Sequence, residues 1–135
     1  MRAIGIDFGL VRIGIAFSDE MKILATPFDT YRTKDFESDI EYFANLINEK
    51  KVDTIVIGLP KNMKGEEQEI AHKTKEFAEN LQKKTQRKLI YIDERLTSVY
   101  VDRIMISADV KWQDRKKMID KLSAATILQN YLDRK

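Results

Sequence analysis

The chain opens on a period of two. In Ile4-Gly5-Ile6-Asp7 large apolar positions alternate with small or polar ones, and Ile13, Ile15 and Phe17 alternate with Gly14, Ala16 and Ser18. Such alternation marks strands with one face on a core. A Phe8-Gly9 turn separates the two runs, so residues 4–19 predict a hairpin. Met21 to Arg32 reads as a third strand, interrupted near Pro27. Proline has no N–H for a central ladder, which predicts an edge strand or a bulge there. Three strands with short connections predict an antiparallel meander.

From Asp35 the period lengthens. Phe36, Ile40, Phe43, Ala44 and Ile47 fall at helical spacing and predict an amphipathic helix ending near Lys50. Residues 53–60, DTIVIGLP, form a short apolar run rich in β-branched residues, as in a parallel strand buried on both faces. Lys61 to Gly65 reads as a loop. A second helix carries Ile70, Thr74, Phe77 and Leu81 on one face, and Leu89 to Asp93 predicts another short buried strand. Leu96-Thr97-Ser98 opens a third helix carrying Val101, Ile104 and Met105, with Thr97 or Ser98 as N-cap. Ser107 to Asp114 is expected as a loop. The last helix is expected from about Arg115 to Asp133, with Met118, Leu122, Ala125, Leu128 and Leu132 inward. The order β-β-β-α-β-α-β-α-α predicts an α/β fold: a five-stranded mixed sheet, three antiparallel strands followed by βα units, flanked by helices on both faces. Its 135 residues suit one domain, 1–135.

Composition narrows the chemistry. Hydrophobic residues are 43% and charged residues 34%, a globular mix. With no cysteine there is no disulfide framework, no thiolate catalysis and, in practice, no structural zinc. The single histidine, His72, falls on a helix without an evident partner and reads as a surface residue, so a Ser-His-Asp triad has no support. No targeting peptide or membrane-spanning run is visible, and a cytoplasmic protein is expected. The net charge is only +2, but it is unevenly placed. Asp35, Glu37, Asp39 and Glu41 make one segment acidic, and Lys111, Arg115, Lys116, Lys117 and Lys121 make another basic. Such an asymmetry can orient a polyanion, with Lys116 and Lys117 as candidate contacts.

Acids stand where a ligand would need them. Asp7 ends the first strand beside a glycine turn, and Asp93 and Glu94 end the last. Parallel strands present functional residues at their carboxyl ends. If the two strands lie near each other, Asp7 and Glu94 reach one crevice. Asp120, near the start of the last helix, shares a face with Ala124 and Ile127. A carboxylate with apolar face-mates is costly unless it meets a partner or a metal. Ala124 and Ala125 would let that helix approach the sheet closely. Three carboxylates at a sheet edge suggest a hard divalent cation, Mg²⁺ or Mn²⁺. Carboxylates holding such ions support in-line phosphoryl displacement by water.

Four segments, GIDFGLVRIGIAFSD, GLPKNMKG, IDERLTS and DKLSAATILQNYLD, together resemble the motifs of the YqgF family, in the same order and over nearly the whole chain. That bacterial group is described as Holliday junction resolvases or pre-16S ribosomal RNA nucleases of RNase H-like fold. The resemblance implies that Asp7, Glu94 and Asp120 are the catalytic, metal-binding acids. It implies that Arg12, Arg95 and Asn62 lie near the substrate, where the arginine fork suits a phosphate. It departs from the family at the first turn, where Leu10 and Val11 replace the usual threonine and lysine.

The reading that follows is a divalent-metal-dependent endonuclease acting on structured nucleic acid, in 5′-end maturation of pre-16S ribosomal RNA during ribosome biogenesis. Its partners would be structured RNA or branched DNA and a ribosomal precursor particle, but no membrane. It would act as a monomer or a homodimer, since a junction resolvase needs two sites related by a two-fold axis. The alternatives are a Holliday junction resolvase in DNA recombination and repair, or a non-catalytic nucleic-acid-binding factor. An ATP-binding module is a further alternative, because an Asp-x-Gly hairpin also occurs in the actin and sugar-kinase fold; such proteins need two domains around the nucleotide.

Overall fold

The computed structural model describes residues 1–60, 68–94 and 112–134, with the backbone alone for Glu94 and residues 112–118. The elements are β1 (Arg2–Asp7), β2 (Arg12–Ser18), β3 (Ala25–Arg32), α1 (Phe36–Glu49), β4 (Val52–Pro60), α2 (Glu69–Thr85), β5 (Lys88–Glu94) and α3 (Trp112–Asp133). The strands form one five-stranded sheet in the order β3-β2-β1-β4-β5. β1 pairs antiparallel with β2, and β2 with β3, while β1–β4 and β4–β5 are parallel. The meander and the βα units are as the alternation predicts. Pro27 sits in edge strand β3, where Asp29 faces Ile15 and Pro27 faces Ala16, so Phe28 is the extra residue of a bulge. There the missing N–H costs no central ladder bond.

The two faces of the sheet differ in side-chain size, and this decides what packs on each. Ile4, Ile6, Ile13, Ile15, Ile55 and Ile57 form one core with Phe43 and Ile47 of α1 and Phe77 and Leu81 of α2. Burial of each large side chain contributes about 1.5–3 kcal/mol. Ala3, Ala16 and Val56 line the other face and meet Ala124, Ile127 and Leu128 of α3. Small residues there let α3 lie close to the strands. Added to Gly5, a Cβ would come within 2.6 Å of the Ala124 carbonyl oxygen and 2.7 Å of Leu128 Cβ.

Several expectations need correction. α3 already runs at Trp112, inside the expected loop. Its sheet-facing stripe is Ser123, Ala124, Ile127 and Leu128, with Leu122 and Ala125 only half-buried. Gly5 and Gly14 let the helix backbone approach the sheet at Ala124 and Asp120, which turns Ser123, Ala124, Ile127 and Leu128 toward the strands. β5 is an edge strand among the described residues, with Ile92 buried and Lys88 and Asp93 exposed, and not a fully buried strand, because no described strand covers its outer side. Phe36 is exposed because it opens α1 before the helix reaches the core. The loop over 61–65, the helix expected from Leu96 and the loop residues 107–111 lie outside the described residues.

The acidic run of α1 is in part structural. Asp35 caps the helix: its Oδ1 accepts from the Ser38 N–H at 2.8 Å, which holds its carboxyl below the usual range. Asp39 is buried and accepts from the Tyr31 hydroxyl at 2.7 Å and the Lys34 N–H at 2.9 Å. Burial, then the Asp39 carboxylate, push the Tyr31 phenol up to about 12. A raised folded-state value favours the protonated native form, so this stability is complete below the ordinary value near 10 and is lost as pH rises toward 12. Tyr31→Phe should cost about 1–2 kcal/mol at neutral pH. It should also flatten the fall of the urea midpoint between about pH 10 and 12. Equal alkaline slopes for wild type and variant would remove this hydrogen bond from the account.

Candidate active site

Four strands run in one direction and end on one edge of the sheet, at Asp7, Arg32, Pro60 and Glu94. β2 runs the other way and starts on that edge with Arg12. β4 lies between β1 and β5, so Asp7 and Glu94 end parallel strands two places apart, roughly 10 Å in the sheet. They share an edge but are not on neighbouring strands.

Asp7 lies on the α3 face, in phase with Ala3 and Gly5 and out of phase with the core residues Ile4 and Ile6. Its ladder partner across β2 is Gly14. Gly14 carries no Cβ because none would fit: it would overlap the backbone carbonyl of Asp120. The glycine therefore brings the Asp120 main chain down onto the residue paired with Asp7. Arg12, two residues before Gly14 on the same face, donates from Nε to Asp120 Oδ2 at 2.6 Å. Both side chains of this pair are mostly buried, at 29% and 20% exposed. The helix is fixed farther along by Gln129, which accepts from the Ala25 N–H at 2.9 Å and donates to the Ile23 carbonyl at 3.0 Å.

Of the expected site residues, Asp7 and Asp120 come together, and Arg12 joins them bound to Asp120. Glu94 closes β5 opposite Pro60 on the same edge, placed by its backbone. Lys116 and Lys117 lie on α3, one turn before Asp120, and their side chains are outside the described residues. Asn62 and Arg95 are outside them altogether. His72 is exposed on α2, as expected. Among the described residues, which do not include the Glu94 side chain, no group of three acids or histidines is close enough to hold a metal ion. The donors on this edge are carboxylate oxygens, which suit Mg²⁺ or Mn²⁺ and not a softer metal. Sequence reasoning did not single out Arg32, whose place on this edge depends on the pairing of β3 with β2.

The tip of the β1–β2 hairpin stands beside these groups. Thr33 secures it, donating from its N–H to the Val11 carbonyl at 3.0 Å and from Oγ1 to the Leu10 carbonyl at 2.9 Å. Leu10 and Val11 themselves point to solvent, at 59% and 52% exposed. This tip is tied to the end of β3 through its backbone, and Leu10 and Val11 carry no charge.

The family model described as "RuvX: Holliday junction resolvase" matches residues 1–134. This chain belongs to the RuvX family. It is the family, also called YqgF, that the four motifs resemble. A Halalkalibacterium halodurans protein named "Putative pre-16S rRNA nuclease" is 43% identical over 136 residues, covering 99% of this chain and 97% of that protein. A Clostridium tetani protein of the same name is 41% identical over 133 residues, covering 98% and 96%. The fold is that of RuvC-like resolvases. T. thermophilus RuvC in complex with a Holliday junction substrate superposes with a TM-score of 0.59 at 11% identity, over 99% of this chain and 95% of that one. Fowlpox virus resolvase with Holliday junction DNA gives 0.61 at 11% identity, over 99% and 98%. Among the described residues no helix is long and apolar enough to cross a membrane.

Proposed function

We propose that this RuvX-family chain is a nuclease that hydrolyses phosphodiester bonds in structured nucleic acid, with Asp7, Glu94 and Asp120 as its catalytic acids. The observation that carries this is the seat of Asp120: Gly14 and Arg12 hold it beside Asp7 at the carboxyl edge. Residues 1–135 would act as one nuclease domain. The substrate reading follows the relatives named as pre-16S ribosomal RNA nucleases, at 41–43% identity over nearly the full chain. It is 5′-end maturation of pre-16S ribosomal RNA, in the cytoplasm, on a ribosomal precursor particle. The family's description supports a second reading, resolution of branched DNA, which would require a homodimer.

The oxygen donors of Asp7, Asp120 and Glu94 would hold Mg²⁺ or Mn²⁺. When bound there, such an ion would supply charge stabilisation at a phosphoryl group and activation of water. The chain's own residues set the geometry. Arg12 holds Asp120 through a charge-assisted hydrogen bond to Oδ2, and Oδ1 of that carboxylate takes no part in this bond. Gly14, the ladder partner of Asp7, lets the Asp120 main chain occupy the place that a side chain would take. The substrate backbone would approach from the open edge toward Arg12, Arg95, Asn62, Lys116 and Lys117.

The test is cleavage of a labelled pre-16S 5′ leader and a four-way DNA junction by pure protein, with Mg²⁺, with Mn²⁺ and with EDTA. Metal-dependent cutting of the RNA alone is the expected result. Cutting of the junction alone would install the second reading. Absence of cutting on both, also with precursor particles added, would overturn the nuclease assignment.

A further inference from the structure

Resting on the nuclease reading, we infer that Arg32 is a substrate-binding residue that holds a backbone phosphate of the nucleic acid beside the acids. Arg32 is the last residue of β3, on the edge where Asp7 and Glu94 end. Its Cα partner across the ladder is Arg12. The next pair inward, Ile13 and Tyr31, faces the large-residue core, so Arg12 and Arg32 both face the α3 side, above Asp120. Directly opposed residues have Cβ atoms about 5 Å apart, and like charges at that spacing repel.

The two guanidinium groups are not treated alike. Arg12 is neutralised by Asp120. Arg32 is exposed, and among the described residues it has neither a hydrogen bond nor an ion pair through its side chain. Among the described residues, the two arginines stand face to face with a carboxylate for Arg12 and none for Arg32, which can therefore receive an anion. The adjoining hairpin tip, Leu10 and Val11, offers no charge of either sign. A phosphodiester lying across this edge would supply that anion, because the planar fork of Arg32 matches two phosphate oxygens. β3 is an edge strand, so its end is open to a bulky polymer.

The experiment is equilibrium binding in EDTA, which stops cleavage, with fluorescent pre-16S 5′ leader RNA and a four-way DNA junction as probes. Binding is measured across a series of KCl concentrations for wild type, Arg32→Ala, Arg32→Lys and the control Arg2→Ala. Arg2 begins β1 at the opposite edge, so its loss changes net charge equally without touching the site. Arg32→Ala should bind about tenfold more weakly, and its slope of log K against log salt should fall in magnitude by about one. Arg32→Lys should keep the wild-type slope with intermediate affinity. Arg2→Ala should match wild type. The urea midpoint of Arg32→Ala at low salt should equal or exceed that of wild type, since a repulsive pair is relieved. An unchanged slope in Arg32→Ala, with wild type binding normally, would overturn this inference and leave the nuclease reading standing. Failure of wild type to bind both probes would also overturn this inference, while the nuclease reading stands or falls on the cleavage test with metal and precursor particles.

Discussion

Asp7→Asn is expected to lower the cleavage rate by about 10³-fold, the size of losing several kcal/mol of charge stabilisation at about 1.4 kcal/mol per tenfold. The substitution keeps the shape of the side chain and removes its charge. Asp7 ends β1 at a half-buried position, and the strand is held by its ladders to β2 and β4 whatever the terminal side chain carries. The variant should therefore remain folded, with a cooperative urea transition. Affinity for nucleic acid should be equal or higher, because a negative charge facing phosphate is gone. Single-turnover cleavage and binding in EDTA separate these effects. A variant that cuts as fast as wild type would move the active site away from this edge. A variant that loses binding together with cleavage would make Asp7 a structural residue.

Gly14→Ala is expected to cost about 3 kcal/mol of stability and at least about 10²-fold in activity. The added methyl would occupy the place of the Asp120 carbonyl, which is backbone and cannot rotate aside. α3 would have to lift. It is held at the next contact by Ala124 and Leu128 over Gly5, and at its far half by Gln129 on the β2–β3 turn. Lifting the first turns loosens the Arg12–Asp120 pair and moves Asp120 relative to Asp7, and a displacement near 1 Å is enough to cost two orders of magnitude. Urea denaturation should give a lower midpoint with an unchanged slope. Wild-type stability and activity in this variant would mean that α3 does not rest on β2 at Gly14. A stability loss without an activity loss would separate Asp120 from the chemistry.

Much of this arrangement is legible in particular residues. The alternation of Ile13, Ile15 and Phe17 with Gly14, Ala16 and Ser18 is sufficient for β2 and also marks its small-residue face. Pro27 is sufficient to predict an edge or a bulge, and it occupies both. Asp7 and Asp120 stand out as acids in positions that favour small or apolar residues. α3 is where periodicity falls short. Both of its broad faces carry apolar residues, so spacing does not single out the side that packs; the choice of Ala124, Ile127 and Leu128 over Leu122 and Ala125 follows from the glycines and alanines beneath them. The acidic run of α1 includes Asp39, a buried acceptor for Tyr31, a partner eight residues away that local pattern does not reveal.

The sequence by itself determined the strands, the helices α1 and α2, the α/β class and the acids worth testing, because period and residue chemistry are local properties. The tertiary structure decided the rest. It separated β1 from β5 by β4, bound Arg12 to Asp120, and set Arg32 opposite Arg12 on the edge where β1 and β5 end. Those are contacts between residues up to 108 positions apart, and they arise only when strand register and helix packing are fixed together.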